Sequence, residues 1–330
     1  MTRVLITGAS GFIGRSLVAA FANSEHQVRA AVREPPQPSF PSGIEVVPHP
    51  DLAQSVDWRP LLAGVDKVIH LAGIAHSGRA AAPELYNRIN CEATAELART
   101  AATVGVNHLI FVSSIRAQSG PSADHALTEN DAAAPTDPYG RSKLGAEAAV
   151  RASGVPSTIL RPVLVYGPGV KGNFALLLRA ANLPLPLPIR DFGNRRSLLG
   201  IDNFISALKF VASTPTAKGE TYVVADPGMA LRLSDVIATM REAQGRRPFL
   251  LPLQTDYFEI PLRALGCADI WERFGGNLRV DSTKLVAAGW RPPHDTRAGL
   301  AALVHATARP SRQITSRRPA APQGPDQRRQ

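Results

Sequence analysis

Arg3-Val4-Leu5-Ile6-Thr7 is an apolar, branched run, and Gly8-Ala9-Ser10-Gly11-Phe12-Ile13-Gly14 follows it with no spacer. Phe12, Ile13, Leu17, Val18 and Phe21 then recur at helical spacing. Strand, glycine turn and helix in immediate succession form the context of a phosphate-binding loop. Glycines let backbone approach a pyrophosphate, and the helix N-terminus offers free N–H groups and a positive dipole. Gly8, Ser10, Gly11, Phe12, Ile13 and Gly14 are therefore expected to hold a dinucleotide. Their spacing is G-x-x-G-x-x-G rather than the commoner G-x-G-x-x-G.

The pattern continues as strand and helix in alternation. Val28–Val32 reads as the second strand, Ile44–Val47 as a third, Val65–Leu71 as a fourth, His108–Val112 as a fifth and Thr158–Leu160 as a sixth. A long helix is expected over 84–104. Such alternation predicts a doubly wound parallel α/β sheet with right-handed crossovers. In these sheets the end of the second strand selects the cofactor, an acid binding the ribose 2′-OH and an arginine accommodating a 2′-phosphate. Arg33 follows Val32 and favours NADP, while Glu34 keeps NAD open. Asp51 and Leu52 are candidates to border the adenine. The small residues of Leu71-Ala72-Gly73 would let the sheet edge lie against ribose and nicotinamide. His70 reads as structural, since it stands alone in an apolar strand; Asn90, on the long helix, fits either a polar relay or packing.

Asp137-Pro138-Tyr139-Gly140-Arg141-Ser142-Lys143 carries the chemistry. Tyr139 and Lys143 are four residues apart, about 6 Å of rise and just over one turn, so phenol and ammonium share a helix face. A neighbouring cation favours the phenolate and moves a tyrosine toward acid/base work near neutral pH. Ser113 and Ser114 close the fifth strand, where an open sheet binds its ligands, and either hydroxyl suits an oxygen on the reacting carbon.

The net charge of +10 is uneven. Half of it lies in residues 309–330, where Arg309, Arg312, Arg317, Arg318, Arg328 and Arg329 face one acid, Asp326. That Pro- and Gln-rich stretch lacks apolar periodicity and is expected to be a disordered basic tail. The modest excess on the body suits phosphorylated ligands better than nucleic acid, because no aromatic-rich basic strands appear. No apolar run reaches the length of a membrane span, and Met1-Thr2-Arg3 leads straight into a strand rather than a secretory signal. Cys91 and Cys267 are far apart, so neither a disulfide framework nor a cysteine metal site is expected, and no metal site is read. A cytoplasmic setting fits.

The glycine triad, Ser114, Tyr139/Lys143 and the run Arg161-Pro162-Val163-Leu164-Val165-Tyr166-Gly167-Pro168 together resemble the extended short-chain dehydrogenase/reductase family, its NAD-dependent epimerase/dehydratase group, over residues 2–308. The resemblance implies a Rossmann domain over 1–170, completed by about 197–225, and a smaller substrate-binding subdomain from 171–196 and 226–280. A terminal helix over 281–308, with Asp281 as its N-cap, would precede the tail. It implies Tyr139 as acid/base, Lys143 as the cation that lowers its pKa and holds the ribose, Ser114 rather than Ser113 as the substrate-orienting hydroxyl, and Pro162 beside the cofactor. Leu183–Pro188 and Asn194-Arg195-Arg196-Ser197-Leu198 are similar to nucleotide-sugar enzymes of this group. That likeness places Asn173, Arg196 and, more weakly, Arg279 at the diphosphate.

The activity so implied is hydride transfer at C4 of a UDP-4-keto sugar in surface-polysaccharide biosynthesis, a 4-keto reductase or dehydrogenase using NAD(P) with a lean to NADP. A UDP-hexose 4-epimerase with retained NAD is the alternative. The strand Val28–Glu34 also resembles NADPH-dependent dihydroflavonol reductases, and a non-catalytic cofactor-binding protein stands last. Family members pair through the helices here read as 84–104 and 139–151, which implies a homodimer.

Overall fold

The computed structural model describes residues 1–33, 40–75, 82–252 and 276–308. Its first half runs β1 (Arg3–Thr7), α1 (Phe12–Ala22), β2 (Gln27–Val32), β3 (Glu45–Pro48), α2 (Arg59–Leu62), β4 (Lys67–His70), α3 (Pro83–Tyr86), α4 (Ala93–Thr103), β5 (His108–Val112) and β6 (Ala126–Leu127). Then come α5 (Pro138–Ala152), β7 (Ser157–Pro162), β8 (Leu164–Tyr166), α6 (Asn173–Asn182), β9 (Arg195–Arg196), β10 (Leu198–Gly200), α7 (Ile201–Ser213) and β11 (Thr221–Val224). The chain closes with β12 (Leu231–Arg232), α8 (Leu233–Ala243), β13 (Arg279–Val280), α9 (Thr283–Ala287) and α10 (Thr296–Ala308).

Seven parallel strands form the central sheet in the order β11-β7-β5-β4-β1-β2-β3. This is the doubly wound α/β fold, with β1 and β4 at the reversal of strand order, where such sheets bind ligands. Both faces are covered at the middle of the sheet, where every residue of β5 is buried, whereas the edge strand β3 is largely exposed. One face packs under α1 and α7 through Leu17, Phe21, Phe204 and Leu208. The other packs under α4 and α5 through Leu97, Ala101, Ala146 and Val150, with Trp58 fully buried beside them. A separate apolar cluster, including Phe174, Ile237, Met240 and Leu300, ties α6, α8 and α10 together.

Two expected helices are interrupted. Over 84–104 the α-helical ladder is broken by a π-helical turn at Asn87–Glu92. The extra residue in that turn carries Asn90, whose side chain is engaged across the chain by Ile74. Over 281–308 the helix divides into α9 and α10, because Pro292 and Pro293 lack amide donors and end any ladder running through them. Asp281 stands one residue ahead of the cap, Ser282, and its carboxylate accepts from the Thr283 N–H at 2.9 Å. Residues 253–275 of the expected substrate subdomain, the basic tail, Glu34 and Cys267 lie outside the described residues.

Candidate active site

The glycine loop ends β1 and starts α1. Gly11 is the N-cap and has no side chain to satisfy the helix's first N–H groups, which have no carbonyl four residues behind them. A Cβ on Gly14 would run into the Gly8 carbonyl oxygen and lie 2.7 Å from Ala9 Cα. One on Gly8 would lie 2.9 Å from the Ala72 nitrogen. The loop is therefore folded against Leu71-Ala72, whose amides both reach Thr7 Oγ1, at 3.2 and 3.3 Å. An uncapped helix start beside side-chain-free backbone is the donor set a dinucleotide pyrophosphate requires, so Gly8 to Gly14 fit that group. Arg33 is exposed just past β2. Asp51 is exposed and bonded to the Ala53 N–H, while Leu52 packs in the core.

His70 is fully buried between Thr7 Oγ1 (2.8 Å) and Thr94 Oγ1 (3.1 Å), and burial holds its pKa well below the usual imidazole range. It is a neutral structural bridge. Asn90 accepts from the Ile74 N–H and donates to the Ile74 carbonyl, both at 2.9 Å, and donates to Ser142 Oγ at 3.1 Å. It thus fixes the backbone at Gly73 and Ile74 to α5.

Helix α5 starts where Asp137 accepts the Gly140 N–H at 2.6 Å and Pro138 supplies a preset first turn. It carries Tyr139 to the carboxyl end of β5, where the phenol hydrogen-bonds with Ser114. Ser114 Oγ also accepts the Arg116 N–H at 3.1 Å, capping a short 3₁₀ turn. The neighbouring hydroxyl goes elsewhere, since Ser113 Oγ donates to Glu147 Oε1 at 2.6 Å. Of the two hydroxyls, Ser114 is the one that meets the Tyr139 phenol. Burial raises the Tyr139 pKa, most strongly opposed by Ser114, then by Arg116, while Asp137 and Tyr86 add to the rise.

Lys143 follows Tyr139 by one turn of α5. Its ammonium turns into the sheet, donates to the Val112 carbonyl at 2.8 Å and lies 4.6 Å from the Phe111 ring centre. Burial lowers its pKa to about 8, with Glu147 opposing. Arg116, which pairs with Asp137, is the cation that opposes the rise in the Tyr139 pKa. Sequence reading missed Arg116, although it stands two residues past Ser114.

Pro162 is buried at the end of β7. Arg196 donates to the carbonyls of Gly276 (2.9 Å) and Pro121 (2.8 Å), and burial followed by Arg116 lowers its pKa to about 10. Arg279 donates to the Asp124 carbonyl at 3.1 Å, leaving its Nε buried without a partner. Both arginines therefore bracket residues 121–124, which lead away from Ser114. Asn173 begins α6, and its side chain lies outside the described residues. Among the described residues no group of His, Cys, Asp and Glu is placed to hold a metal ion, and no helix is long and apolar enough to cross a membrane.

Comparison with known proteins agrees with this fold. A UDP-glucose 4-epimerase of Vibrio cholerae is 32% identical over 307 residues, covering 90% of this chain and 92% of its own. An N-acetyl-alpha-D-glucosaminyl-diphospho-ditrans,octacis-undecaprenol 4-epimerase of Escherichia coli O157:H7 is 25% identical over 326 residues, with 90% and 92% covered. The solved structure of MoeE5 in complex with UDP-glucose and NAD superposes with a TM-score of 0.73 at 26% identity, over 92% of this chain and 98% of that one. The model of the NAD dependent epimerase/dehydratase family matches residues 4–225. The chain belongs to that family and is an NAD(P)-dependent enzyme of the oxidoreductase/epimerase type.

Proposed function

We propose that the chain is a UDP-sugar 4-epimerase that keeps its NAD through the catalytic cycle. The observation that carries this reading is the end-to-end likeness to the Vibrio cholerae UDP-glucose 4-epimerase, 32% identical with 92% of that protein covered. MoeE5, bound to UDP-glucose and NAD, supports both the cofactor and the substrate class. These relatives favour the epimerase over the 4-keto reductase expected from sequence, and NAD over NADP. A reductase exchanging NADPH is the second reading, carried by the exposed Arg33 at the end of β2.

Gly8 to Gly14 would hold the pyrophosphate, with Lys143 beside the ribose and Leu71 to Gly73 along the sheet edge. When bound, the nicotinamide supplies the acceptor and donor of hydride. The chain itself handles the proton. Tyr139 takes it from the sugar 4-hydroxyl as the C4–H bond breaks and returns it to the same oxygen when hydride is restored on the opposite face of C4. Ser114 holds that oxygen against Tyr139, and Arg116 favours the phenolate while the proton is away. Arg196, Arg279 and Asn173 would take the diphosphate, so the sugar can turn while its nucleotide stays fixed. Pairing of two copies through α4 and α5 belongs to the same proposal.

The test is to incubate the purified protein with UDP-glucose and no added cofactor. The reading expects UDP-galactose to form and denaturant to release stoichiometric NAD(H). A protein that releases no nucleotide and consumes NADPH with a UDP-4-keto sugar would instead be the reductase.

A further inference from the structure

Four residues past Lys143, α5 buries a carboxylate that this chemistry does not touch. Glu147 is 0% exposed. Arg161, from β7, grips it with two bonds, Nε to Oε1 at 2.9 Å and Nη2 to Oε2 at 2.7 Å. Ser113 adds a 2.6 Å bond to Oε1, and Arg151 a 3.2 Å bond to Oε2. The remaining arm of Arg161 donates to Gln118 Oε1 at 3.1 Å, and the Gln118 amide in turn holds the carbonyls of Thr128 and Asp131. A buried ion pair of this kind adds little net stability, because desolvating two charges offsets their attraction. Its placement is more telling. One oxygen holds the residue next to Ser114, and the whole carboxylate lies one helical turn from Lys143.

Resting on the assignment of Ser114, Tyr139 and Lys143 as the catalytic set, we infer that Glu147, clamped by Arg161, is a positioning residue. It fixes the Ser113–Ser114 turn and supplies the negative charge against which Lys143 stays an ammonium. Lys143 is otherwise poorly placed to hold a proton. It is 6% exposed, faces the Phe111 ring and the Val112 carbonyl from β5, and burial pulls its pKa to about 8. His70, facing it from β4, is neutral and carries no compensating charge. Tyr139 precedes it on α5, with the Arg116–Asp137 pair at that helix's start. Beyond Glu147 lie two cations, Arg161 from β7 and Arg151 on α5. Glu147 is the charge that opposes the desolvation.

The experiment is the pH profile of kcat for the full-length protein and two variants. In Glu147→Gln the ammonium loses its counter-charge, so the alkaline limb should move about one pH unit toward acid, with kcat at pH 8 down roughly fivefold and KM within about twofold. In Arg161→Gln a competing cation is gone, so the limb should move the opposite way. A merely structural pair would not give shifts of opposite sign. The inference is overturned if both limbs stay at the wild-type position or both move in one direction. Glu147→Asp keeps the charge but draws it away from Ser113. It should fold, leave the limb in place and lower kcat; an unchanged kcat would remove the claim on the Ser113–Ser114 turn even if the other variants failed to fold. Tyr139→Phe is the control. If it still turns over, the catalytic assignment itself is wrong. If it is silent while Glu147→Gln keeps the wild-type profile, only the role of Glu147 falls.

Discussion

Tyr139 and Lys143 stand on α5, a 15-residue helix capped by Asp137, and Ser114 stands two residues past β5, a fully buried strand. Arg196 and Arg279 stand on β9 and β13, strands of two residues each. The first group is held by regular hydrogen-bond ladders and by side chains that already meet, such as Ser114 with Tyr139 and Ser113 with Glu147. The second is held by guanidinium bonds to the carbonyls of Pro121, Asp124 and Gly276. On the proposed assignment the chemistry would sit on a preorganised frame, where small displacements cost rate. Recognition would sit on short irregular elements, where loss of one contact costs affinity. Changes on the frame should be nearly all-or-none, and changes on the recognition side should be graded.

The largest effect should come from Gly14→Ala. Alanine is the better helix former by about 1 kcal/mol, yet its methyl would strike the Gly8 carbonyl and Ala9. Overpacking against rigid backbone should win, costing roughly 2–3 kcal/mol in a denaturant melt and removing the bound nucleotide. Arg196→Ala should be milder. Losing charge-assisted bonds of about 1.5–3 kcal/mol should raise KM for the UDP-sugar roughly 10- to 100-fold with kcat within about threefold. An equal fall in kcat would place Arg196 on the catalytic side and break the division between the two regions.

The smallest effect concerns the frame alone and is read through pH. Burial lowers the Lys143 pKa from 10.5 to about 8, so between those values the unfolded chain binds the extra proton. Stability of the nucleotide-free protein should therefore rise with pH across that window. Lys143→Met should lack this rise, a difference of about 1–3 kcal/mol between melts at pH 7.5 and pH 10. Parallel curves for the two proteins would mean that Lys143 is not desolvated as the structure has it.

The frame was also the more legible region. His108–Val112 could be read as a strand residue for residue, because a strand buried on both faces is a continuous apolar run. Glycine spacing and the four-residue step from Tyr139 to Lys143 are local signals, and local geometry carries them. The π-helical turn was not readable, since the bonding of its Asn90 to Ile74 is a tertiary contact that spacing does not reveal. The turning of Lys143 toward Val112, and the easing of Tyr139 by Arg116, depend on side-chain directions that spacing does not fix. Glu147 lies one further turn along the same helix, but its meaning needs Arg161 from β7. The break at Pro292-Pro293 was written in the sequence, and a single helix over 281–308 overlooked it.

The central claim is that Tyr139, held by Ser114, moves the proton in a cycle that retains its nucleotide. The direct measurement is turnover of UDP-glucose by Tyr139→Phe, made on protein shown to carry bound NAD(H) and to melt like the wild type. The account predicts kcat lower by about 10³-fold with KM little changed. Turnover within a few-fold of wild type would contradict it.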